Sequence, residues 1–219
     1  PLAIQGPKAE NLISKIFGNQ IKNIDFFKFG WIEFQGTQQL IARSGYSRQG
    51  GFEIYLQNSN LGSDLWKTIW KAGIEFEISP GCPNLIERIE GGLLSYGNEF
   101  TRENNPLEIG LAKFCSLDGS IDFIGRAALE KIATTGVKKK IRGVTFDGDK
   151  CPTCSIPWPV MVGDKKIGQI TSAIWSPRLK KNVGLSLIDR NYWLPKLSVE
   201  VHSQDNKIRL GEISSLPFI

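Results

Sequence analysis

Histidine is nearly missing from this chain and cysteine is scarce: 219 residues hold one histidine, His202, and four cysteines, Cys82, Cys115, Cys151 and Cys154. So few thiols do not make a disulfide scaffold, and they suit a reducing, cytoplasmic setting. Cys151-Pro152-Thr153-Cys154 is a lone CxxC with Pro157 and Pro159 close behind. Prolines on that scale mark a loop, whereas thioredoxin chemistry places its pair at a strand-to-helix turn. With no second pair and one histidine, a zinc centre lacks ligands, and no metal is expected. His202 has no nucleophile motif near it and reads as structural. No apolar run approaches the ~20 residues of a membrane span, and no stretch reads as a secretory signal. A Walker loop, a G-x-G-x-x-G turn, a paired-carboxylate glycosidase pattern and an H-E-x-x-H helix are also absent, so nucleotide hydrolysis, dinucleotide binding, glycoside hydrolysis and zinc proteolysis have no support. The net charge of +5 is dispersed apart from Lys138-Lys139-Lys140. A nucleic-acid surface needs a broader basic stripe interleaved with aromatics. Neither nucleic acid nor a membrane is expected as a partner.

What the chain does have is a glycine corner between two apolar runs, Arg43-Ser44-Gly45-Tyr46-Ser47-Arg48-Gln49-Gly50-Gly51-Phe52-Glu53-Ile54-Tyr55. It reads as a hairpin, with one strand from Leu40 to Tyr46, a corner at Ser47–Gly51 and a second strand from Phe52 to Gln57. Gly50 and Gly51 supply φ > 0 at no steric cost. Alternation along the exit strand sends Phe52, Ile54 and Leu56 into a core and leaves Glu53, Tyr55 and Gln57 together on the other face. A carboxylate two residues from a phenol, beside a glycine corner, suits a flat hydrogen-bonding heterocycle. It also suits the wet face of a half-buried strand.

Upstream, Leu2-Ala3-Ile4 is strand-like and directly follows Pro1, with no initiating Met, so the chain is read as part of a longer polypeptide. Lys8 to Phe17 carries Leu12, Ile13, Ile16 and Phe17 at helical spacing and stops at Gly18. Gly30 to Phe34 is a second strand. Asn60 to Gly73 reads as a helix capped by Ser63, with Leu65, Trp66, Ile69 and Trp70 as its buried stripe. Pro83 to about Leu94 is a third, with Pro83 in its first turn. Leu85, Ile86, Ile89 and Leu93 face inward there, and Glu87, Arg88 and Glu90 sit on the outer flanks. After the small, polar stretch Ala133–Val137 come six short strands: Lys140–Phe146, Pro159–Val162, Lys165–Ser172, Asn182–Leu187, Leu197–Ser203 and Lys207–Ile213. Short strands with polar turns and no helices argue a small antiparallel barrel or sandwich. The expected class is α+β, with an incomplete helix-and-sheet domain at 1–134 and a β-barrel at 135–219.

The hairpin motif R-[ST]-G-Y-[ST]-x-x-x-G-[FY]-E-[IL] resembles the signature of the folate-dependent aminomethyltransferase family, which includes the glycine-cleavage T-protein. Further segments match in the family's order: Glu87-Arg88-Ile89-Glu90-Gly91-Gly92-Leu93 with Tyr96-Gly97, Asn105-Pro106-Leu107-Glu108, Ile121 to Leu129, and Ile167 to Ser172 with Ser176-Pro177. Family members usually read Gly-Glu where this chain has Arg48-Gln49. That departure resembles the branch that demethylates dimethylsulfoniopropionate (DMSP).

The resemblance implies tetrahydrofolate as co-substrate and a methyl transfer from DMSP that leaves methylmercaptopropionate and 5-methyltetrahydrofolate. A T-protein of glycine cleavage is the alternative. A non-catalytic folate-binding protein is a third; that branch has a reactive cysteine where this chain reads Glu90-Gly91-Gly92-Leu93. On the folate side stand Glu53, Tyr46, Arg88, Tyr96 and Trp175. A carboxylate can accept from a pterin's amine and ring N–H together, and Arg88 can clamp a carboxylate. The basic excess suits the glutamate tail of a folate. On the donor side stand Tyr55, Trp31 and Gln49, with Tyr55 at the reacting centre. A sulfonium is permanently charged and is held by aromatic faces. A neutral amide at position 49 carries no proton, which such a donor does not require. The family's catalytic aspartate lies upstream of the aligned region. Expected partners are therefore the small-molecule donor, folate, the remainder of the same polypeptide and, as an admissible arrangement, a second copy in a homodimer.

Overall fold

The computed structural model describes residues 1–82 and 84–219, so the first-turn role expected of Pro83 lies outside the described residues. Packing divides the chain into two compact units, Pro1–Asn84 and Leu85–Ile219.

In the first unit, strands β1 (Leu2–Gln5), β2 (Phe29–Phe34), β3 (Thr37–Ala42) and β4 (Gly51–Tyr55) form an antiparallel sheet in the order β1-β4-β3-β2. Gln35 and Gly36 close the β2–β3 hairpin with φ of 50° and 75°. Positive φ at both loop residues is the twist that a two-residue hairpin requires. β3 begins at Thr37 and ends at Ala42, earlier at both ends than the expected Leu40–Tyr46. Beyond Ala42 the pairing with the β2 side continues, with Arg43 N–H donating to Lys28 O at 2.9 Å and Phe27 N–H to Arg43 O at 3.0 Å.

Helices α1 (Ala9–Phe17) and α2 (Gly62–Gly73) cover one face of the sheet. Leu12, Ile13 and Phe17 from α1 and Leu65 and Ile69 from α2 meet Ile4, Ile32, Ile41, Phe52 and Ile54 in one apolar core. Burying side chains of this size contributes roughly 1.5–3 kcal/mol each. α2 departs from the sequence expectation in two places. Trp66 and Trp70 are exposed and stack on each other, leaving Leu65, Ile69 and Gly73 as the buried stripe. Ser63 lies inside the helix, and the capping oxygen is Asn58 Oδ1, which accepts from Asn60 N–H at 3.0 Å ahead of a 3₁₀ turn at Ser59–Leu61.

The second unit opens with α3 (Leu85–Glu90), which ends at Gly91-Gly92, short of Leu94; α4 (Arg126–Thr135) follows. Then come β5 (Lys139–Phe146), β6 (Trp158–Val162), β7 (Lys165–Ser176), β8 (Lys181–Asp189), β9 (Ser198–His202) and β10 (Ile208–Ser214). All six pair antiparallel into a closed barrel, β10-β5-β8-β7-β6-β9, so the barrel half of the expected alternatives is the one found. Its interior holds Val144, Phe146, Trp158, Val160, Ile170, Ile188 and Val201. The seams differ in length. β5 and β8 stay in register from Lys139 opposite Asp189 to Phe146 opposite Asn182. β6 and β9 meet at Val160–Val201 and Met161–Glu200. A bulge between Ile170 and Ser172 keeps Ile170 inside the barrel and sends Ser172 out, toward α3. Among the described residues, no helix is long and apolar enough to cross a membrane.

Candidate functional site

Directly paired residues of an antiparallel sheet share a face. The register therefore assigns the face left open by α1 and α2. One row reads Ala3, Glu53, Ala42, Phe29, and the next reads Tyr55, Leu40, Trp31. Glu53 and Tyr55 lie side by side on β4. Trp31 is on the same face two strands away, about 10 Å at the usual strand spacing. A cleft of about 490 Å³ opens here, lined by Phe27, Phe29, Ser44, Glu53, Tyr55 and Gln57, among others. Phe27, Phe29, Trp31 and Tyr55 are all exposed. Phe27 and Phe29 escaped the sequence reading. β2 carries Phe29 and Trp31 onto this face by alternation, and Phe27, in the turn before β2 with φ of 61°, joins the lining.

The glycine corner is held in place from β1. Gln5 donates through Nε2 to Ser44 O at 3.1 Å and accepts at Oε1 from Ser47 Oγ at 2.8 Å. Gly51 has φ of 143°, and a Cβ there would stand 2.2 Å from Ile4 O, so only glycine lets β1 and β4 approach. The payoff is at Ser44, whose hydroxyl donates to Glu53 Oε2 at 2.5 Å. One oxygen of Glu53 is thus occupied and oriented, and the carboxylate stands on an aromatic floor beside Tyr55. That arrangement can accept hydrogen bonds from the edge of a flat heterocycle lying against the sheet. Tyr46 and Gln49 sit on the corner itself, Tyr46 partly exposed and Gln49 exposed, with Gln49 N–H donating to Ser47 Oγ at 3.1 Å.

Arg88, Tyr96 and Trp175 belong to the second unit. Arg88 and Glu90, expected on the outer flanks of α3, are turned inward and are 5% and 0% exposed. Arg88 donates from Nη1 to Glu99 Oε2 at 2.9 Å and to Leu93 O at 3.2 Å, and from Nη2 to Ser172 Oγ at 2.6 Å. Glu99, 2% exposed, also accepts from Ser95 N–H at 2.6 Å and from the Ser172 hydroxyl. A guanidinium with these partners is engaged internally, which corrects its placement on the outer flank of α3. Ser176 Oγ donates to Glu90 Oε1 at 2.6 Å. Tyr96 is exposed and sits edge-on to Phe100 at 5.6 Å. Trp175 is half-buried near the end of β7, opposite Asn182.

The CxxC lies in the loop before β6 with both thiols free and half-buried. Burial pushes Cys151 and Cys154 up to about 11, so both are thiols at neutral pH. His202 Nε2 lies 3.3 Å from Glu200 Oε2 on β9.

Residues 1–119 match the GCVT N-terminal domain family, and residues 139–219 match the glycine cleavage T-protein C-terminal barrel domain. A dimethylsulfoniopropionate demethylase of Ruegeria pomeroyi is 45% identical over 205 residues, covering 94% of this chain and 56% of that protein. An aminomethyltransferase of Caldanaerobacter subterraneus is 39% identical over 195 residues, covering 87% and 51%. The chain thus spans about half the length of the curated relatives it matches. The crystal structure of the glycine cleavage system aminomethyltransferase T from Bartonella henselae superposes over 99% of this chain and 58% of its own, with TM-score 0.76 at 20% identity. That agreement is one of fold. With both domain families matched in order over most of its length, the chain belongs to the glycine-cleavage T-protein family.

Proposed function

We propose that the protein to which this chain belongs is a tetrahydrofolate-dependent demethylase that moves a methyl group from DMSP to tetrahydrofolate. The observation that carries this reading is Glu53, a carboxylate oriented by Ser44 on an open aromatic face, beside a corner where Gln49 takes the place of the family's usual glutamate. The residues present fit the pterin ring. The cleft, about 490 Å³ and lined by aromatic rings, offers one charged acceptor to a ring edge rich in N–H donors. When bound, tetrahydrofolate supplies the nucleophilic nitrogen. Glu53 fixes the ring's orientation, and Tyr55 lends its π-face to the sulfonium. Holding donor and acceptor in line can supply much of the rate of a transfer that needs no base. The 45% identity to a DMSP demethylase supports the donor.

The second reading is aminomethyl transfer in glycine cleavage, favoured by relatives named aminomethyltransferase at 39% and 34% identity. Turnover of the full-length protein with tetrahydrofolate and either DMSP or an aminomethyl-lipoyl carrier separates the two. Methyl transfer from DMSP is expected. Turnover of the aminomethyl carrier with DMSP ignored would replace this reading with the second.

A further inference from the structure

Helix α2 carries two apolar stripes one residue apart. Leu65, Ile69 and Gly73 face the core, while Trp66 and Trp70, followed by Ile74 in the 3₁₀ turn just past the helix, repeat the same spacing and remain 46%, 38% and 68% exposed. The two indoles stack at 5.9 Å with 15° between their planes. Tryptophan is enriched where proteins meet, and a stacked pair presents a wide, flat apolar surface. At 100° per residue, Asp64, Lys67 and Lys71 share the flank beside this stripe, with Asp64 in the first turn and Lys71 in the last. Among the described residues neither Asp64 nor Lys71 makes an ion pair.

We propose that this face pairs two copies of the chain, α2 against α2, antiparallel about a twofold axis near residues 67 and 68. The flank is complementary to its own reverse, which selects a second copy as the occupant. In an antiparallel helix pair, the same flanks meet. Asp64 then faces the partner's Lys71, and Lys71 the partner's Asp64. Trp66 stacks toward the partner's Trp70 about the same axis, and the helix dipoles oppose. A parallel pair would instead bring opposite flanks together, and Asp64 and Lys71 would not meet. Lys67 lies near the axis and meets its own copy, which weakens the contact. One helix face per protomer is also small beside the roughly 1,200–2,000 Å² of a standard interface. The dimer is accordingly weak, with a dissociation constant on the order of 10 μM.

Sedimentation of the full-length protein across that range tests this. A concentration-dependent monomer–dimer equilibrium is expected, weakened at least tenfold by Trp66→Ala or Trp70→Ala. Asp64→Lys and Lys71→Asp should each shift it toward monomer, and the two together should restore it. The substituted side chains are exposed, so circular dichroism should confirm an unchanged fold. A dimer indifferent to all of these variants overturns the proposal, because a different surface then forms it. A monomer at every concentration overturns it as well. In that case Trp66→Cys labelled with a maleimide gives the reason: resistance means another segment of the polypeptide covers the stripe, and rapid labelling means it stays open.

Discussion

Ser44 and Glu53 are nine residues apart and are joined by a hydroxyl-to-carboxylate bond of 2.5 Å across the base of the glycine corner. That bond turns a strand residue with a free carboxylate into an aimed acceptor. Glu53→Gln keeps an acceptor for Ser44 and removes the charge. Tetrahydrofolate affinity should fall by about 1.5–3 kcal/mol, the usual scale for a hydrogen bond to a charged group. Stability should hardly change, since the core face of β4 is Phe52 and Ile54. Calorimetry of the wild type and the variant checks it; undiminished folate binding would return Glu53 to an ordinary solvent-facing role.

Tyr55, 39% exposed, has its ring available to a ligand. Tyr55→Ala should lower DMSP turnover strongly and leave folate binding mostly intact, because a desolvated cation–π contact is worth about 2 kcal/mol. Gln49→Glu alone should not confer aminomethyl transfer, since specificity draws on the whole pocket and on rejection of the wrong donor. Steady-state kinetics with DMSP, glycine betaine and an aminomethyl donor reads both outcomes. Folate affinity lost in parallel with turnover in Tyr55→Ala would contradict this division of labour.

Arg88 and Glu99 form an ion pair with both side chains withdrawn from solvent. Removing one partner of such a pair strands the other charge. Arg88→Met should therefore destabilise the second unit by about 3–5 kcal/mol. Adding Glu99→Gln should recover part of that loss, because the orphaned carboxylate is then neutral. Denaturant midpoints of the single and double variants decide it. A near-neutral Arg88→Met would mean that the guanidinium is not structural and is free for a ligand.

Burial raises Cys151 and Cys154 from the ordinary thiol value of 9.0 to about 11. A raised folded value favours the protonated native state. The associated stability is complete below pH 9.0 and is lost as pH rises toward 11, where the unfolded chain ionises first. Melting of the barrel should therefore soften over that window, and less so in Cys151→Ala/Cys154→Ala. At pH 7.5, a maleimide should modify exposed Cys82 well before either residue of the CxxC. Equal rates would show that the loop before β6 does not shield them.

Alternation made the exit strand of the hairpin legible, and short apolar runs between polar turns did the same for the six barrel strands, although β8 is buried on both faces from Asn182 to Ser186. The limits of that reasoning are physical. On α2 two apolar stripes have identical spacing, and only packing against α1 and the shared core decides that Leu65 and Ile69 go in while Trp66 and Trp70 stay out. Arg88 looks like a surface residue until Glu99 and Ser172, eleven and 84 positions away, provide for its charge. Ser172 itself can do so only because a bulge reverses the alternation of β7. The open face was half readable, since Glu53 and Tyr55 follow from parity on β4. Gln5, which holds the corner from a neighbouring strand, had no local signal at all.

The unequal seams of the barrel have a consequence in time. A cylinder of strands opens where the fewest backbone bonds must break together, and here that is between β6 and β9, which meet at Val160–Val201 and Met161–Glu200. Local opening of this kind governs amide exchange. The amides facing that seam should trade hydrogen for deuterium ahead of those between β5 and β8, whose ladder runs unbroken from Lys139 to Phe146. Because the loop bearing Cys151 and Cys154 leads directly into β6, the same fluctuation that loosens the seam also uncovers the thiols. Slow labelling of Cys154 would then act as a clock for the breathing of the barrel.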